Sequence, residues 1–197
     1  MHLRQKHVFI TYTNTPPDRM KDLLEKLHLL QYQTIRLNLP KTVFVSRLRE
    51  QVDEGSIGIF SDSFDVFSSS KNEYKGHVDL RGFRIKRRKR LFDFNMNLAI
   101  ASGTYREEGE QLIIDTEING FSGVMIPFYI FVALFYVIFI AIFLGAGEMD
   151  GAMPVFVLPF ILLHALFMFG LPYLLMRGSV SRMQRELERE FFFLTKQ

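Results

Sequence analysis

The sequence predicts a membrane protein of the α+β class. It combines a cytoplasmic antiparallel β-meander with short helices, a two-helix transmembrane hairpin and a C-terminal amphipathic helix. Two stretches without a charged residue, 118–147 and 151–176, predict the hairpin. Short β-branched and aromatic segments between residues 55 and 118, separated by Ser, Asp, Asn and Gly, predict the meander. Apolar residues at helical spacing after residue 177 predict the last helix.

Length and composition limit the classes of site that the chain can hold. It has 197 residues, of which 48% are hydrophobic, with 21 Phe and no Cys. That length suits one soluble module with a membrane anchor. The lack of cysteine excludes a disulfide framework and a thiolate metal or redox site. The five histidines are scattered and show no metal-ligand spacing with a carboxylate, so we expect no metal and no cofactor. The N-terminus has no apolar run of signal-peptide length, and we expect the first 120 residues to stay in the cytoplasm.

Two apolar segments have the length of a bilayer. Residues 124–144 and 155–176 comprise 21 and 22 positions, and a rise of about 1.5 Å per residue carries each across a hydrocarbon core of roughly 30 Å. A pair of buried helices in a soluble core is the alternative. It is disfavoured because so short a chain has too little protein to surround both helices.

Basic residues predict the orientation of this hairpin. The connection 145–153 contains no Lys or Arg, whereas 19 of the 24 basic residues precede the first span. Basic residues also follow the second span, at Arg177, Arg182, Arg185 and Arg189. Basic flanks stay inside, so we expect a multi-pass protein of the inner (plasma) membrane with both termini in the cytoplasm. The predicted parts are a cytoplasmic module (1–120), the hairpin (121–176) and a cytoplasmic helix (177–197).

Local patterns predict the elements of the module in order. Residues 7–13 suit a strand, Thr15 caps a helix, residues 33–39 alternate as a strand does, and a second helix follows Pro40. The expected meander strands are 56–60, 64–69, 74–80, 82–87, 91–102 and 111–118, with Glu108-Gly109 among the turns.

The C-terminal segment has a single apolar stripe, formed by Val180, Met183, Leu187, Phe191 and Leu194. Because the hairpin returns this helix to the cytoplasm, we expect the stripe to dock onto the meander. Lying on the membrane surface is the alternative, which three Glu on the polar side disfavour.

Residues 84–90 form the most concentrated basic segment, with Arg84, Lys86, Arg87, Arg88, Lys89 and Arg90. Each Lys or Arg near an anionic leaflet gains about 1 kcal/mol, which makes these six candidate membrane-surface contacts. A solvated hairpin tip, balanced by Glu107, Glu108 and Glu110, explains the segment equally well. A nucleic-acid surface is disfavoured because no stacking or reading motif accompanies the charge.

His164 is the one ionisable residue in the two predicted spans. A polar side chain at that depth is costly without a partner, so His164 is a candidate functional residue. No Asp, Glu, Lys or Arg accompanies it in either span. A structural hydrogen bond is therefore favoured over proton handling.

An aromatic ridge runs along the first span, because its phenylalanines recur three and four positions apart: Phe128, Phe131, Phe135, Phe139 and Phe143. We expect the ridge to pack against another helix or against lipid. An aromatic gate in an oligomeric pore is the alternative.

Several segments together resemble a group of small uncharacterised bacterial membrane proteins. They are YKGHVDLRGFRIKRRKR, ASGTY and LIIDTEINGF, which lead into the two apolar spans and a charged helix. The shared features are Phe83, Ile85 and Arg87 in an F-x-I-x-R strand and a turn over residues 103–105. The resemblance covers about residues 40–197 and implies no activity.

The sequence lacks the motifs of common enzymes, including the phosphate loop, HExxH and GxSxG. We therefore expect a non-enzymatic integral membrane protein whose module mediates protein–protein interaction or homo-oligomerisation in the bilayer. The alternative is a membrane-perturbing or channel-forming effector, gated by a ligand bound to the module. The residues identify neither a partner nor a small ligand.

Overall fold

The computed structural model describes residues 10–11, 19–58, 70, 72–89, 97–150 and 157–196. The chain divides into two compact units. The first, the sheet unit, comprises Met1–Phe121 and Met176–Gln197, and the second, the hairpin unit, comprises Ser122–Leu175.

The described residues of the sheet unit form a seven-stranded mixed sheet in the order β1-β2-β7-β6-β5-β4-β3. The strands are β1 (Ile10–Thr11), β2 (Leu30–Leu37), β3 (Val52–Glu54), β4 (Tyr74–Val78), β5 (Gly82–Arg87), β6 (Ile100–Glu108) and β7 (Gln111–Asn119). Strands β4 to β7 pair consecutively and antiparallel, so they form the predicted meander.

Three pairings lie outside the predicted meander, and the first is the antiparallel pair of β1 with β2. Strand β2 lies beside β7 in an antiparallel pair, and β3 pairs with β4 in parallel. The sheet is therefore mixed, and it joins strands from the first 54 residues to the meander. Pairings between strands so distant in the chain leave no local signal, and β3 has only three residues, too few for an alternation to show.

Individual strand predictions differ in accuracy. The prediction of 82–87 matches β5, and 74–80 and 111–118 overlap β4 and β7 closely. Strand β6 begins only at Ile100, so most of the predicted strand 91–102 is not confirmed, and its residues 91–96 lie outside the described residues. The predicted strand 64–69 and part of 56–60 also lie outside them.

The predicted turn at residues 103–105 is wrong, because these residues lie inside β6. Gly103 lies under the ring of Phe83, where an added Cβ would be 2.2 Å from ring atom Cε1. Because Gly103 has no side chain, the ring of Phe83 can lie directly against the backbone of β6. Gly103 is therefore not part of a turn. The chain reverses instead at Gly109, whose φ of +62° favours glycine, and Glu108 pairs with Gln111 across that two-residue loop.

Among the described residues, three helices contribute to the sheet unit. They are α1 (Arg19–Lys26), α2 (Lys41–Gln51), which begins directly after Pro40 as predicted, and the final part of a long helix, α4 (Val157–Leu194). Sequence patterns predict a separate C-terminal helix from residue 177, but α4 is continuous there. The isolated Gly178 costs only about 1 kcal/mol in a helix interior, which burial of the apolar stripe that follows it offsets.

The apolar stripe of α4 is part of the core of the sheet unit, which confirms the predicted docking. Val180, Met183, Leu187, Phe191 and Leu194 are 0%, 3%, 1%, 0% and 0% exposed. They cluster with apolar residues of α2 and of the strands. Burying each such side chain stabilises a fold by about 1.5–3 kcal/mol.

Phe191 lies at the centre of this core. Its ring meets those of Phe44 and Phe83 edge to face, with ring centroids 5.2 and 5.8 Å apart. Polar contacts fix the same helix. The Ser179 hydroxyl accepts hydrogen bonds from the backbone N–H groups of Leu98 and Ala99, at 2.9 and 2.8 Å. The sheet, α2 and α4 thus share one core.

The hairpin unit consists of α3 (Met125–Asp150) and the first part of α4. Helix α3 continues past the predicted span end at residue 144, and residues 151–156 lie outside the described residues. Both helices are long and apolar enough to cross a membrane, and only 11% and 6% of their most apolar stretches are buried. A helix in a soluble core is mostly buried, so the exposure suits a lipid environment.

Replacement of Phe191 by Ala tests the core. We expect Phe191→Ala to lower the free energy of unfolding of the sheet unit by about 3–5 kcal/mol, because it leaves a cavity among three packed rings. Denaturant unfolding of the detergent-solubilised chain, followed by tyrosine near-ultraviolet circular dichroism, measures the loss. The matched control is Phe193→Ala on the same helix, where Phe193 is 47% exposed. Equal losses in the two variants would contradict the buried position of Phe191.

Candidate functional site

The basic segment 84–90 does not form one exposed cluster among its described residues. Arg84 and Lys89 are exposed, whereas Lys86 is only 2% exposed and lies opposite the equally buried Lys75. Arg90 lies outside the described residues.

The next two residues of the segment form ion pairs inside the sheet unit. Arg87 contacts Glu186 at 2.5 Å and Glu73 at 3.9 Å, and Arg88 contacts Asp53 at 2.8 Å. These acids therefore balance Arg87 and Arg88, while the expected contribution of Glu107, Glu108 and Glu110 stays a prediction. Headgroup contact by the segment stays a prediction.

One face of the sheet carries a trough of about 630 Å³. It is the face opposite the core that α2 and α4 share. Cross-strand pairing sets two rows of side chains along it. The first row is His77, Arg84, Ser102, Glu117 and Tyr32, and the second is Gly82, Thr104, Asp115 and Thr34.

The trough forms where small residues lie between longer ones. Ser102, Thr104 and Gly82 occupy its middle, while His77 and Arg84 stand on one side of it. Gly82 is required by close backbone approach, because an added Cβ would lie 2.3 Å from the carbonyl oxygen of Gly103.

Each acidic side chain that lines the trough already has a partner. Asp115 accepts a hydrogen bond from the Thr34 hydroxyl at 2.7 Å and from Arg106 at 3.2 Å. Glu117 accepts one from Lys21 at 3.0 Å. The negative charge of these two carboxylates is thus compensated within the unit.

Asp79 and His77 form a third compensated group at the end of the trough. The backbone N–H groups of Gly82 and Arg81 hold the pKa of Asp79 below its ordinary value. A hydrogen bond to the Glu54 carboxylate raises the pKa of His77, and Asp79 adds to the effect. The imidazole Nδ1 lies 2.5 Å from Glu54, and its Nε2 lies 3.6 Å from Asp79.

No group of three or more His, Asp or Glu side chains suited to a metal ion occurs among the described residues.

In the hairpin unit, His164 has a hydrogen-bond partner from the other helix. Its Nδ1 lies 2.5 Å from the Tyr136 hydroxyl, and Tyr136 is only 9% exposed. The favoured structural role of His164 is consistent with this contact. Tyr136 is a polar side chain within the first span, but it carries no charge, so the pattern of Asp, Glu, Lys and Arg does not reveal it.

Other side chains of α3 face α4 together with Tyr136. Val132 is 3% exposed, and Tyr129 stacks on Phe169 with ring centroids 5.8 Å apart. Positions 129, 132 and 136 recur at helical spacing, so they form one inward stripe.

The predicted phenylalanine ridge lies outside this stripe. Phe131, Phe135 and Phe139 are 69%, 48% and 37% exposed, and Phe135 and Phe139 stack on one another at 6.0 Å. The side chain of Phe143 lies outside the described residues, and Phe128 meets the ring of Tyr129 at 5.5 Å. Packing of the ridge on lipid or on another chain stays a prediction.

Comparison of the chain with family models, curated proteins and solved structures gives no match. The resemblance to small bacterial membrane proteins therefore stays a prediction.

Removal of the Tyr136 hydroxyl tests the hairpin contact. We expect Tyr136→Phe to destabilise the hairpin by about 0.6–1.7 kcal/mol, the range for hydrogen bonds between membrane helices. Thermal unfolding in bicelles, followed by helical circular dichroism, measures the change. The matched control is Tyr129→Phe, whose hydroxyl lies 3.4 Å from the Phe169 carbonyl and makes at most a weak bond. A larger loss in the control would contradict the assigned partner of His164.

The ion pair between Arg87 and Glu186 gives a pH-dependent prediction. Burial raises the pKa of Glu186 above its ordinary value of 4.5, although Arg87 and Arg182 oppose the shift. The native chain therefore holds this proton more tightly than the unfolded chain does. Glu186 stabilises the fold most below pH 4.5, and this contribution is lost as the pH rises through the native pKa.

We expect Glu186→Gln to remove that slope, so the variant should gain stability relative to the parent chain between pH 4.5 and 7. Denaturant unfolding at several pH values measures the difference. Glu107→Gln, an exposed change of equal charge, serves as the control. A pH-independent difference for Glu186→Gln would contradict the assignment.

Proposed function

We propose that this chain is a non-enzymatic integral protein of the inner membrane that works by association. Its sheet unit lies in the cytoplasm, where it binds a protein partner or further copies of the chain. The hairpin anchors it, with the segment between α3 and α4 outside and both termini inside. The distribution of Lys and Arg supports this orientation, because 19 of 24 precede the first span.

The exposed aromatic ridge of α3 is the observation that carries the proposal. The hairpin buries its own inward stripe and leaves Phe131, Phe135 and Phe139 exposed on α3. In lipid, helices associate through packing and polar contacts, since lipid tails are as apolar as the side chains. Large flat rings in a row offer an extended surface for such packing.

Two other features of the chain are not available for binding a second chain. The apolar stripe of α4 from Val180 to Leu194 is buried in the core of its own unit, so it is not available to a second chain. The Tyr136 contact of His164 is internal to one hairpin, so the histidine needs no second copy as its partner. Association is therefore assigned to the ridge and to the polar surface of the sheet unit.

Orientation is testable because the chain contains no cysteine. We expect a cysteine at Glu148 to react with a membrane-impermeant maleimide on intact cells. A cysteine at Lys196 should react only after permeabilisation, since the basic flanks stay inside. Both variants should partition with membranes after carbonate extraction. Labelling of the Lys196 site in intact cells would contradict the proposed topology.

Association is testable by energy transfer between differently labelled copies in lipid nanodiscs. We expect the parent chain to show transfer at low protein-to-lipid ratio, and the double variant Phe131→Ala with Phe135→Ala to weaken it about tenfold, the equivalent of 1.4 kcal/mol. The control is the pair Leu162→Ala with Leu166→Ala on α4, two residues 62% and 71% exposed.

Dye retention in liposomes distinguishes the proposed association from channel formation. Liposomes that contain the parent chain should retain a trapped ionic dye as well as empty liposomes do. Leakage that His164→Ala changes would contradict the proposal and support a pore. Absence of energy transfer, together with a monomeric mass and no copurifying protein after cross-linking in native membranes, would also overturn it.

A further inference from the structure

Two guanidinium groups line the trough, and of these Arg81 lies close enough to Asp79 to attract its carboxylate, whereas Arg84 has no such partner among the described residues. Arg81 and Arg84 are both exposed and line the trough. Neither side chain makes a hydrogen bond or ion pair in the described part of the chain, in contrast to Arg87 and Arg88 of the same basic segment. The described part of the trough therefore has a surplus guanidinium at Arg84.

This surplus follows from the pairing of the acids. Asp115 and Glu117 are held by Thr34, Arg106 and Lys21. Asp79 is held by two backbone N–H groups and lies near His77. Arg84 stands between His77 and Ser102 in the first row, so no carboxylate lies directly opposite it on either neighbouring strand.

Hydrogen-bond donors lie beside these cations in the middle of the trough. Ser102 pairs directly across from Arg84, and Thr104 pairs across from Gly82. Each hydroxyl can donate one hydrogen bond. A guanidinium presents a planar fork of N–H groups that matches the oxygens of a phosphate or carboxylate. Donors from two strands suit a tetrahedral anion better than a planar one, since its oxygens point in several directions.

We propose that the trough binds a phosphoryl group, held by Arg84 and Arg81 with the Ser102 and Thr104 hydroxyls. The volume of about 630 Å³ exceeds what one phosphate needs, and it lies within the range of about 300–1,000 Å³ for small-molecule sites. The ligand is thus a phosphate ester with an organic body. Its source is a soluble phosphomonoester or the headgroup of an anionic lipid. This site is independent of association through the ridge.

Calorimetry on the full chain in nanodiscs of phosphatidylcholine tests the proposal, with phenyl phosphate and inorganic phosphate as probes at fixed salt. We expect phenyl phosphate to bind, and Arg84→Ala to raise its Kd at least tenfold. Thr104→Val, a change at an exposed position, should raise the Kd about threefold. Arg84→Lys should recover part of the loss, because it restores the charge without the fork.

The matched control is Arg36→Ala. Arg36 is exposed on the same face of the sheet, on β2, but does not line the trough. We expect less than a twofold change in Kd. Equal effects of Arg36→Ala and Arg84→Ala would show general charge attraction and overturn the site. Absence of phenyl phosphate binding to the parent chain, with native tyrosine circular dichroism, would overturn it as well.

The same measurement in nanodiscs with an anionic lipid identifies the source of the phosphoryl group. Nanodiscs that contain phosphatidic acid at one fifth of the lipid should weaken phenyl phosphate binding if the headgroup enters the trough, and this effect should vanish in Arg84→Ala. Unchanged binding assigns the trough to a soluble ester. Either result supports a phosphoryl site, while weakening that persists in Arg84→Ala would contradict occupation of the trough by lipid.

Discussion

Burial of the α4 stripe against the sheet is the interaction on which the rest of the sheet unit depends. Phe191 contacts a ring from α2 and a ring from β5, and so joins elements far apart in the chain. Ser179 binds the backbone just before β6, which fixes the start of that strand. Without this helix, the apolar side chains of the sheet that pack on it would meet water.

Helices α2 and α4 cover one sheet face, and the opposite face carries the polar side chains of the trough. Alternation along β5 puts Phe83 and Ile85 in the core and Arg84 on the open face. Near the strand end, Arg87 meets Glu186 of α4. A basic segment that looks uniform in the sequence is therefore divided between helix docking and an exposed face.

Strong local periodicity made several features predictable. The α4 stripe repeats every three or four residues, and β5 alternates over six, so both were found from the sequence. The trough was not, because its residues come from four separate segments of the chain, and only the pairing of five strands aligns them. The role of Gly103 was also missed, since a glycine under Phe83 and a glycine in a turn look alike in sequence.

The position of α4 in the chain has a consequence for biosynthesis. Residues 176–194 leave the ribosome after the strands and after the hairpin, yet they complete the core of the sheet unit. The apolar side chains of the nascent strands that pack on this helix therefore stay uncovered until the hairpin has been translated. Translation that stops before residue 176 yields a sheet without its covering helix, a natural substrate for chaperones and proteases.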